Sequence, residues 1–243
     1  LGTKSGLEST LVPAAGFELR LIPKVAISRT PSVSWLRIPF DLISSVVSSF
    51  KVVKSADVLV GFGGYVSAPA YLAAALSRTP IVIHEANAKP GWANRLGASF
   101  TSHLAVAHPV DQGKFSDALL AGLPLRSDVA TACVASASLW ESARTAAKAR
   151  MGFAADAPLI VIMGGSQGSV AINAVIADSV ATFNAQGISV LHSVGKLNAL
   201  PQASGSYRPV AYVEAMADAY LAADLIIARS GAVTCSEFRA LGR

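Results

Sequence analysis

Cysteine is nearly absent from this sequence. Cys133 and Cys235 are the two present among 243 residues, and their separation fits no metal-binding or redox spacing. They read as buried thiols of a reducing compartment, not as a disulfide. Charge is also sparse, at 14% Asp, Glu, Lys and Arg, and aromatic rings make up 7%. No apolar run is long enough to cross a bilayer. The longest candidate, FDLISSVVSSFKVVKSADVLV, is interrupted by Asp41, Lys51, Lys54 and Asp57. The first residues carry no secretory pattern. Glycine and proline are scattered, so neither disorder nor a repeat is indicated. Two nucleotide signatures are missing as well. No glycine loop is followed by the Lys-Ser/Thr of a Walker motif, and none has Gly-x-Gly-x-x-Gly spacing. ATP phosphoryl transfer and a nicotinamide cofactor are thereby disfavoured.

What is abundant is aliphatic. Hydrophobic residues make up 52% of a chain long enough for two modest domains. Short β-rich runs alternate with helical stretches: FELRLIP (17–23), DVLVGF (57–62), PIVIHE (80–85), HLAVAH (103–108), LIVIM (159–163), ISVLH (188–192), PVAYV (209–213) and DLIIAR (224–229). Near-continuous Val/Ile/Leu runs are expected of strands covered on both faces by helices. Between Ser166 and Phe183, the residues Ile172, Val175, Ile176, Val180 and Phe183 fall on one helical stripe. Alternation of this kind predicts parallel sheets with right-handed crossovers. The rhythm breaks around GLPLR (122–126), and a polar segment, SASLWESARTAAKARMG, follows. The expected organisation is therefore two α/β domains, 1–125 and 126–243, with ligands beyond the carboxyl ends of their strands.

Net charge is +5, and residues 1–54 hold seven Lys/Arg against three Asp/Glu, which supplies +4 of it. Such a region suits an anionic partner such as a lipid surface, or an ordinary solvated face. Nucleic acid fits poorly. The positive residues are spread out, and only Trp35 and Phe40 could serve as nearby stacking platforms.

Three strand ends are rich in glycine or polar residues beyond what packing would ask. In VGFGGYVSAPA (60–70), Gly61, Gly63 and Gly64 let a backbone approach a ligand, or make a tight turn. In IHEANAKPGWANR (83–95), His84, Glu85 and Asn87 follow a strand. A lone His there reads as a structural hydrogen-bonder before a catalyst, and a metal site would need further ligands. Asn87 is the better candidate, because an amide bonds a sugar hydroxyl in both directions. In MGGSQGS, Gly164 and Gly165 make the turn, Gly168 closes the loop, and Ser166 is expected at or near the helix N-cap, where free N–H groups favour phosphate. A fourth segment, ARSGAVTCSEFRALG (228–242), repeats strand, Ser-Gly and helix. Its Glu237 reads either as a carboxylate favoured by the helix start or as an acceptor for paired ribose hydroxyls.

Taken together, GFGGYVSAPAYLAA, IVIHEANAKPGWANR, GLPLR, VIMGGSQGSVAIN, YVEAMADAYLAADLIIARSGAVTCSE and the opening LGTKSGLESTLVPAAGFEL resemble the MurG family of peptidoglycan N-acetylglucosaminyltransferases, in the family's order and over nearly the whole chain. The resemblance implies a GT-B fold, two Rossmann-like doubly wound domains facing across a cleft. The implied enzyme is an inverting hexosyltransferase. It moves N-acetylglucosamine from UDP-GlcNAc to lipid I, the undecaprenyl-linked muramyl-pentapeptide, and gives lipid II. It would need no cofactor and no metal, and the chain has no Asp-x-Asp pair. Electrostatic stabilisation of the leaving UDP would come from glycine amides and helix N-termini.

Carried onto this sequence, the resemblance implies that Asn87 contacts donor GlcNAc. Arg126 and Ser166 would lie near the sugar-diphosphate, and the backbone of Val213 would meet uracil. Ala232, Val233, Thr234, Cys235, Ser236 and Glu237 would underlie the nucleotide, with Glu237 on the ribose. Trp35, Leu36, Arg37, Ile38 and Phe40 would form an apolar, basic patch on the anionic cytoplasmic face of the membrane. The family's Gly-Gly-Thr-Gly-Gly-His loop, which carries the favoured candidate base, and its paired C-terminal glutamines have no counterpart here. Ala86 stands where Gln is common. The chain is thus expected to be a piece with both domains incomplete, inactive by itself, with His84 the remaining candidate for a base. Two alternatives remain: another UDP-sugar GT-B transferase acting on a lipid, and a non-catalytic nucleotide-sugar-binding module.

Overall fold

The computed structural model describes residues 1–4, 6, 8–24, 38–136 and 139–242, without the side chains of 134–136. Trp35, Leu36 and Arg37 lie outside the described residues. The chain forms two compact units, Leu1–Leu123 and Pro124–Arg243.

The first unit contains α1 (Glu8–Ala14), α2 (Ile38–Val53), β1 (Leu59–Gly61), α3 (Ser67–Ser77), β2 (Ile81–Glu85), α4 (Trp92–Gly97), β3 (Leu104–Val106) and β4 (Leu119–Leu120). The strands pair in parallel in the order β1-β2-β3-β4, with Leu59 beside Ile81 and Ile83 beside Leu104. Alternation puts Ile81, Ile83, Leu104 and Val106 on one face, where they bury with Tyr71 and Ala74 of α3 and Val53 of α2. α3 is alanine-rich and stops at Arg78, whose left-handed backbone (φ 59°) returns N–H groups to the carbonyls of Ala74 and Ala75.

The run 17–23 is not a strand. Its contribution is one isolated parallel bridge between Leu21 and Gly2, and among the described residues no strand lies alongside to extend it into a ladder. Conversely, β4 is two exposed leucines, defined by pairing with β3 and not by any pattern of its own.

The second unit holds α5 (Ser127–Ser136), α6 (Trp140–Arg150), β5 (Leu159–Met163), α7 (Val170–Ala185), β6 (Ser189–Ser193), β7 (Tyr207–Val210), α8 (Met216–Ala222), β8 (Leu225–Ala228) and α9 (Ala232–Ala240). The parallel order is β7-β6-β5-β8. Leu159, Val161 and Met163 bury against residues of α5, α6 and α8 on one face. Ile162 and Val190 bury on the other, against Ile172, Ile176, Val180 and Phe183 of α7. Val175, expected in that stripe, sits on its flank and is 64% exposed. Cys133 and Cys235 are free, and half-buried where full burial was expected.

At the amino edge, Asp224 joins the helix layer to the sheet. Its Oδ2 accepts from Lys148 Nζ at 2.9 Å and from the N–H of Leu159 at 2.8 Å, and its Oδ1 accepts from Arg144. Lys148 is fully buried and also donates to the carbonyl of Ala157 at 2.7 Å. Burial alone would raise the Asp224 pKa; the Leu159 N–H and the Lys148 and Arg144 charges outweigh it and lower the pKa. Since the folded value lies below the unfolded one, this stabilisation is complete above the ordinary Asp range. It is lost as pH falls through the folded value. Asp224→Asn, which strands a buried ammonium, should cost roughly 3 kcal/mol by urea denaturation at neutral pH. The deficit should shrink below about pH 4, where the parent loses the same charge. A cost that did not vary with pH would rule this ion pair out as the cause.

Candidate functional site

Because β6 lies on one side of β5 and β8 on the other, the strand order reverses between β5 and β8. Ligands of open α/β sheets collect beyond the carboxyl ends of strands at such a point. A cavity of about 230 Å³ lies there, lined by Met163 through Gln167 on one side and by Ala228, Arg229, Gly231 and Thr234 on the other. The first turns of α7 and α9 both follow its walls, so unpaired backbone N–H groups and two positive dipole ends face the same edge. Arg229 adds a full charge and donates to the carbonyl of Gly164 at 3.3 Å.

The N-cap of α7 is Ser169, whose side chain accepts from the N–H of Ile172, and not Ser166. Ser166 stands exposed in the loop, three residues earlier, on the cavity wall. The glycines are also more constrained than ligand approach alone would require. A Cβ on Gly168 (φ 74°) would come within 1.8 Å of the Val194 carbonyl oxygen, and one on Gly164 within 2.3 Å of the Ser169 nitrogen. Gly195 (φ 97°), after β6, is equally tight against Gln167. The two loops therefore cross backbone on backbone.

A buried polar chain fixes that crossing. The Tyr207 hydroxyl lies 3.0 Å from His192 Nδ1, and His192 Nε2 lies 3.1 Å from Asn173 Oδ1. Asn173 Nδ2 donates in turn to the Val194 carbonyl at 3.0 Å. Asn198 Nδ2 then bridges the carbonyls of Val194 and Gln167. His192 has no exposed surface, and burial lowers its pKa, so it stays neutral with Nε2 donating and Nδ1 accepting.

Arg126 and Glu237, widely separated in sequence, are brought together: Nε donates to Oε1 at 2.9 Å, and Tyr220 donates to Oε2 at 2.6 Å. Thr234 reaches the cavity, whereas the Val213 side chain is buried in the core and Val233 is exposed. Ala232, Cys235 and Ser236 are half-buried in α9.

In the first unit, Glu85 organises the loop after β2. Its Oε1 accepts from the backbone N–H and Nδ2 of Asn87, and its Oε2 from the N–H of Gly91 and Asn94 Nδ2, all at 2.8–2.9 Å. Burial alone would raise its pKa; the N–H donors prevail and lower it. One donor of the Asn87 amide is thus committed to Glu85, which leaves its Oδ1 and second N–H for a ligand. Tyr71 donates to Asn94 Oδ1 at 2.7 Å, and its ring occupies the space a Cβ on Gly61 would need. Packing, not only ligand approach, therefore selects Gly61. His84 Nε2 donates to the Gly122 carbonyl at 2.8 Å, and its buried Nδ1 has no partner among the described residues. A larger cavity, about 640 Å³, lies by Lys89, Arg95 and Lys114. Lys114 is tied to the Ala98 carbonyl at the end of α4, where the helix dipole opposes an anion.

Sequence reasoning missed Arg229, Tyr220 and the His192 chain. Arg229 was the most visible: a cation ending a strand run immediately before Ser-Gly and a helix start. Among the described residues no group of His, Cys, Asp or Glu is placed to hold a metal.

Residues 1–106 match the glycosyltransferase family 28 N-terminal domain, and residues 159–243 the glycosyltransferase family 28 C-terminal domain. Over its whole length the chain is 43% identical to a Corynebacterium efficiens protein and 40% identical to one from Streptomyces coelicolor. Both are named UDP-N-acetylglucosamine–N-acetylmuramyl-(pentapeptide) pyrophosphoryl-undecaprenol N-acetylglucosamine transferase, and the chain spans 65% and 66% of their lengths. The crystal structure of MurG from Acinetobacter baumannii superposes with a TM-score of 0.65 at 25% identity, over 99% of this chain and 66% of that one.

The interlocked loops give a sharp contrast. Gly165→Ala, with φ 85° and open space around it, should cost about 1–2 kcal/mol by chemical denaturation. Gly168→Ala, blocked by the Val194 carbonyl oxygen, should cost roughly 2–4 kcal/mol. Equal costs would mean that the crossing is not held as described.

Proposed function

The chain belongs to glycosyltransferase family 28, and from that membership we propose that it acts in moving N-acetylglucosamine from UDP-GlcNAc to an undecaprenyl-diphosphate-linked muramyl pentapeptide, the step that makes lipid II. The observation that carries this reading is the cavity at the strand-order reversal, with two helix N-termini and Arg229 around it. Its volume of about 230 Å³ falls below the ~300–1,000 Å³ that encloses a whole small ligand. It suits the charged middle of a nucleotide sugar, with base and sugar lying outside.

In the reaction the acceptor hydroxyl oxygen forms a bond to the anomeric carbon. The bond from that carbon to the phosphate oxygen breaks with inversion, and the hydroxyl proton leaves to a base. Negative charge grows on the diphosphate as UDP departs. The α7 and α9 N–H groups, Ser166 and Arg229 are fixed in place before that charge develops, which is how electrostatic preorganisation lowers a barrier. On the first unit, Asn87 offers a free amide oxygen and N–H to a sugar. His84 supports that segment from behind: its Nε2 donates to the Gly122 carbonyl, and its Nδ1 is buried.

Calorimetric titration of the chain tests the donor half. UDP-GlcNAc should bind in preference to UDP-glucose and UDP-galactose, and Arg229→Ala should weaken it roughly tenfold. Equal binding of the three sugars would favour a different UDP-sugar transferase. Absence of binding would overturn the reading.

The first unit also supports work at the cytoplasmic face of the membrane. Among the described residues no helix is long and apolar enough to cross a bilayer. α2 instead exposes Phe40 (74%), Ile43 (61%) and Val47 (52%) in one stripe, and Leu76 of α3 (69%) is exposed on the neighbouring helix. Ile38, in the patch inferred from the sequence, is half-buried, so the apolar face is centred further along α2. Lys51 and Lys54 follow it and would meet anionic headgroups. Phe40→Ser combined with Ile43→Ser should lower partition onto phosphatidylglycerol vesicles by tenfold or more, at ~1.5–3 kcal/mol per buried side chain. Unchanged sedimentation with vesicles would argue that this face is merely solvated.

A further inference from the structure

The proton on His192 is fixed from the far end of its hydrogen-bonded row. The Val194 carbonyl oxygen can only accept, so Asn173 must present Nδ2 to it, at 3.0 Å. Asn173 Oδ1 is thereby left facing His192 Nε2 at 3.1 Å, and that nitrogen must carry the proton. In the neutral ring Nδ1 then accepts, with the Tyr207 hydroxyl 3.0 Å away to donate. Every donor in the row points towards Val194. The opposite tautomer would turn the Asn173 amide over and set Oδ1 against the Val194 oxygen, with no proton between them. A protonated ring would be a cation with no exposed surface whose other partner is a neutral hydroxyl. One state of the ring satisfies the row.

The Val194 carbonyl is also where the two loops cross. Gly168 turns against its oxygen with no room for a Cβ, and Asn198 Nδ2 ties it to the Gln167 carbonyl. Gln167 lines the cavity at the β5–β8 edge together with Gly164, Gly165 and Ser166. A tilt of this one carbonyl therefore moves the Gln167–Gly168 corner of the cavity wall.

Resting on the nucleotide reading above, we propose that His192 is a positioning residue for the diphosphate of a nucleotide sugar. It acts through Asn173 and the Val194 carbonyl on residues 164–168, and it touches no ligand. Its ring selects which way the Asn173 amide faces, and that choice sets where the N–H groups of the loop point. An apolar side chain could fill the same buried position. It would leave Asn173 Oδ1 without a donor and the amide free to turn, so the carbonyl would lose the partner that orients it. Hydrogen bonds in a row polarise one another, so the bond that reaches Val194 depends on the links behind it. Donors aimed at phosphate are worth most when they need no reorientation on binding.

Three variants of the full chain test this role. His192→Leu and Asn173→Ala break the row at adjacent links. His192→Gln restores it, because its amide nitrogen can donate to Asn173 while its oxygen accepts from Tyr207. Calorimetric titration should show UDP-GlcNAc binding roughly tenfold weaker in the two broken variants and within about threefold of the parent in His192→Gln. Without nucleotide, hydrogen exchange followed by NMR should quicken at the amides of residues 165–168 in the broken variants, while β5 and β6 keep the parent's protection. Asn173 is half-buried on α7, where alanine suits the helix, so Asn173→Ala carries the comparison should His192→Leu unfold. Broken variants that bind and exchange like the parent, or a folded His192→Gln as weak as His192→Leu, overturn the positioning role and leave the nucleotide site standing. Failure of the parent to bind UDP-GlcNAc overturns both.

Discussion

Unpaired backbone N–H groups at the first turns of α7 and α9 are the feature around which the second unit is built. A helix leaves its first four N–H groups without intrahelical partners. In a parallel sheet each strand passes the chain to the next helix at one edge, so these donors gather there. β5 and β8 are neighbours, yet α7 packs on one face of the sheet and α9 on the other. Their N-termini therefore open on a common gap and are not stacked side by side. The glycines keep side chains out of that gap, and Arg229 adds charge to it.

Holding such a loop open has a cost, because a segment rich in glycine loses more backbone freedom than any other when it is ordered. The protein meets it with buried polar networks aimed at carbonyls and amides instead of at ligands. The His192 chain ends on the Val194 carbonyl, and Asn198 ties that carbonyl to Gln167. In the first unit Glu85 plays the same part with opposite polarity, an anion gathering three N–H donors of its own loop and one from Asn94 of α4. In both cases the buried groups that hold the loop are satisfied by one another and by backbone, so the loop is held without a ligand.

The strands were legible because they are short aliphatic runs bounded by glycine and polar residues: five of the eight expected runs contain a strand, ISVLH (188–192) overlaps β6, and PVAYV (209–213) shares only Pro209 and Val210 with β7. FELRLIP reads equally well but among the described residues makes a single bridge, to Gly2, a tertiary fact that no local pattern contains. The carboxyl-edge loops were legible for the same reason, since glycine and serine between strand and helix have few other uses. Their internal logic was not. Gly195 matters because it meets Gln167, and His192 because it meets Asn173, and both contacts cross between elements. The N-cap fell on Ser169 instead of Ser166 because the glycine loop spends three more residues before turning helical. Arg126 and Glu237 were each visible, but their meeting across 111 residues was not.

The two ends of the second sheet use ion pairs in different ways, and burial of the cation sets the difference. At the amino edge Lys148 is fully buried and its other partners are backbone carbonyls, so opening that pair would leave a charge with no counter-ion. At the carboxyl edge the anion is the buried partner, and the arginine keeps water on one side. Solvent reaches that cation, while the carboxylate beneath it is held by Tyr220 as well as by Arg126. A pair of the first kind fixes the relation of helix to sheet. A pair of the second kind, with a tyrosine anchoring its buried member, ties the segment before α5 to α9 and leaves the cation partly in water.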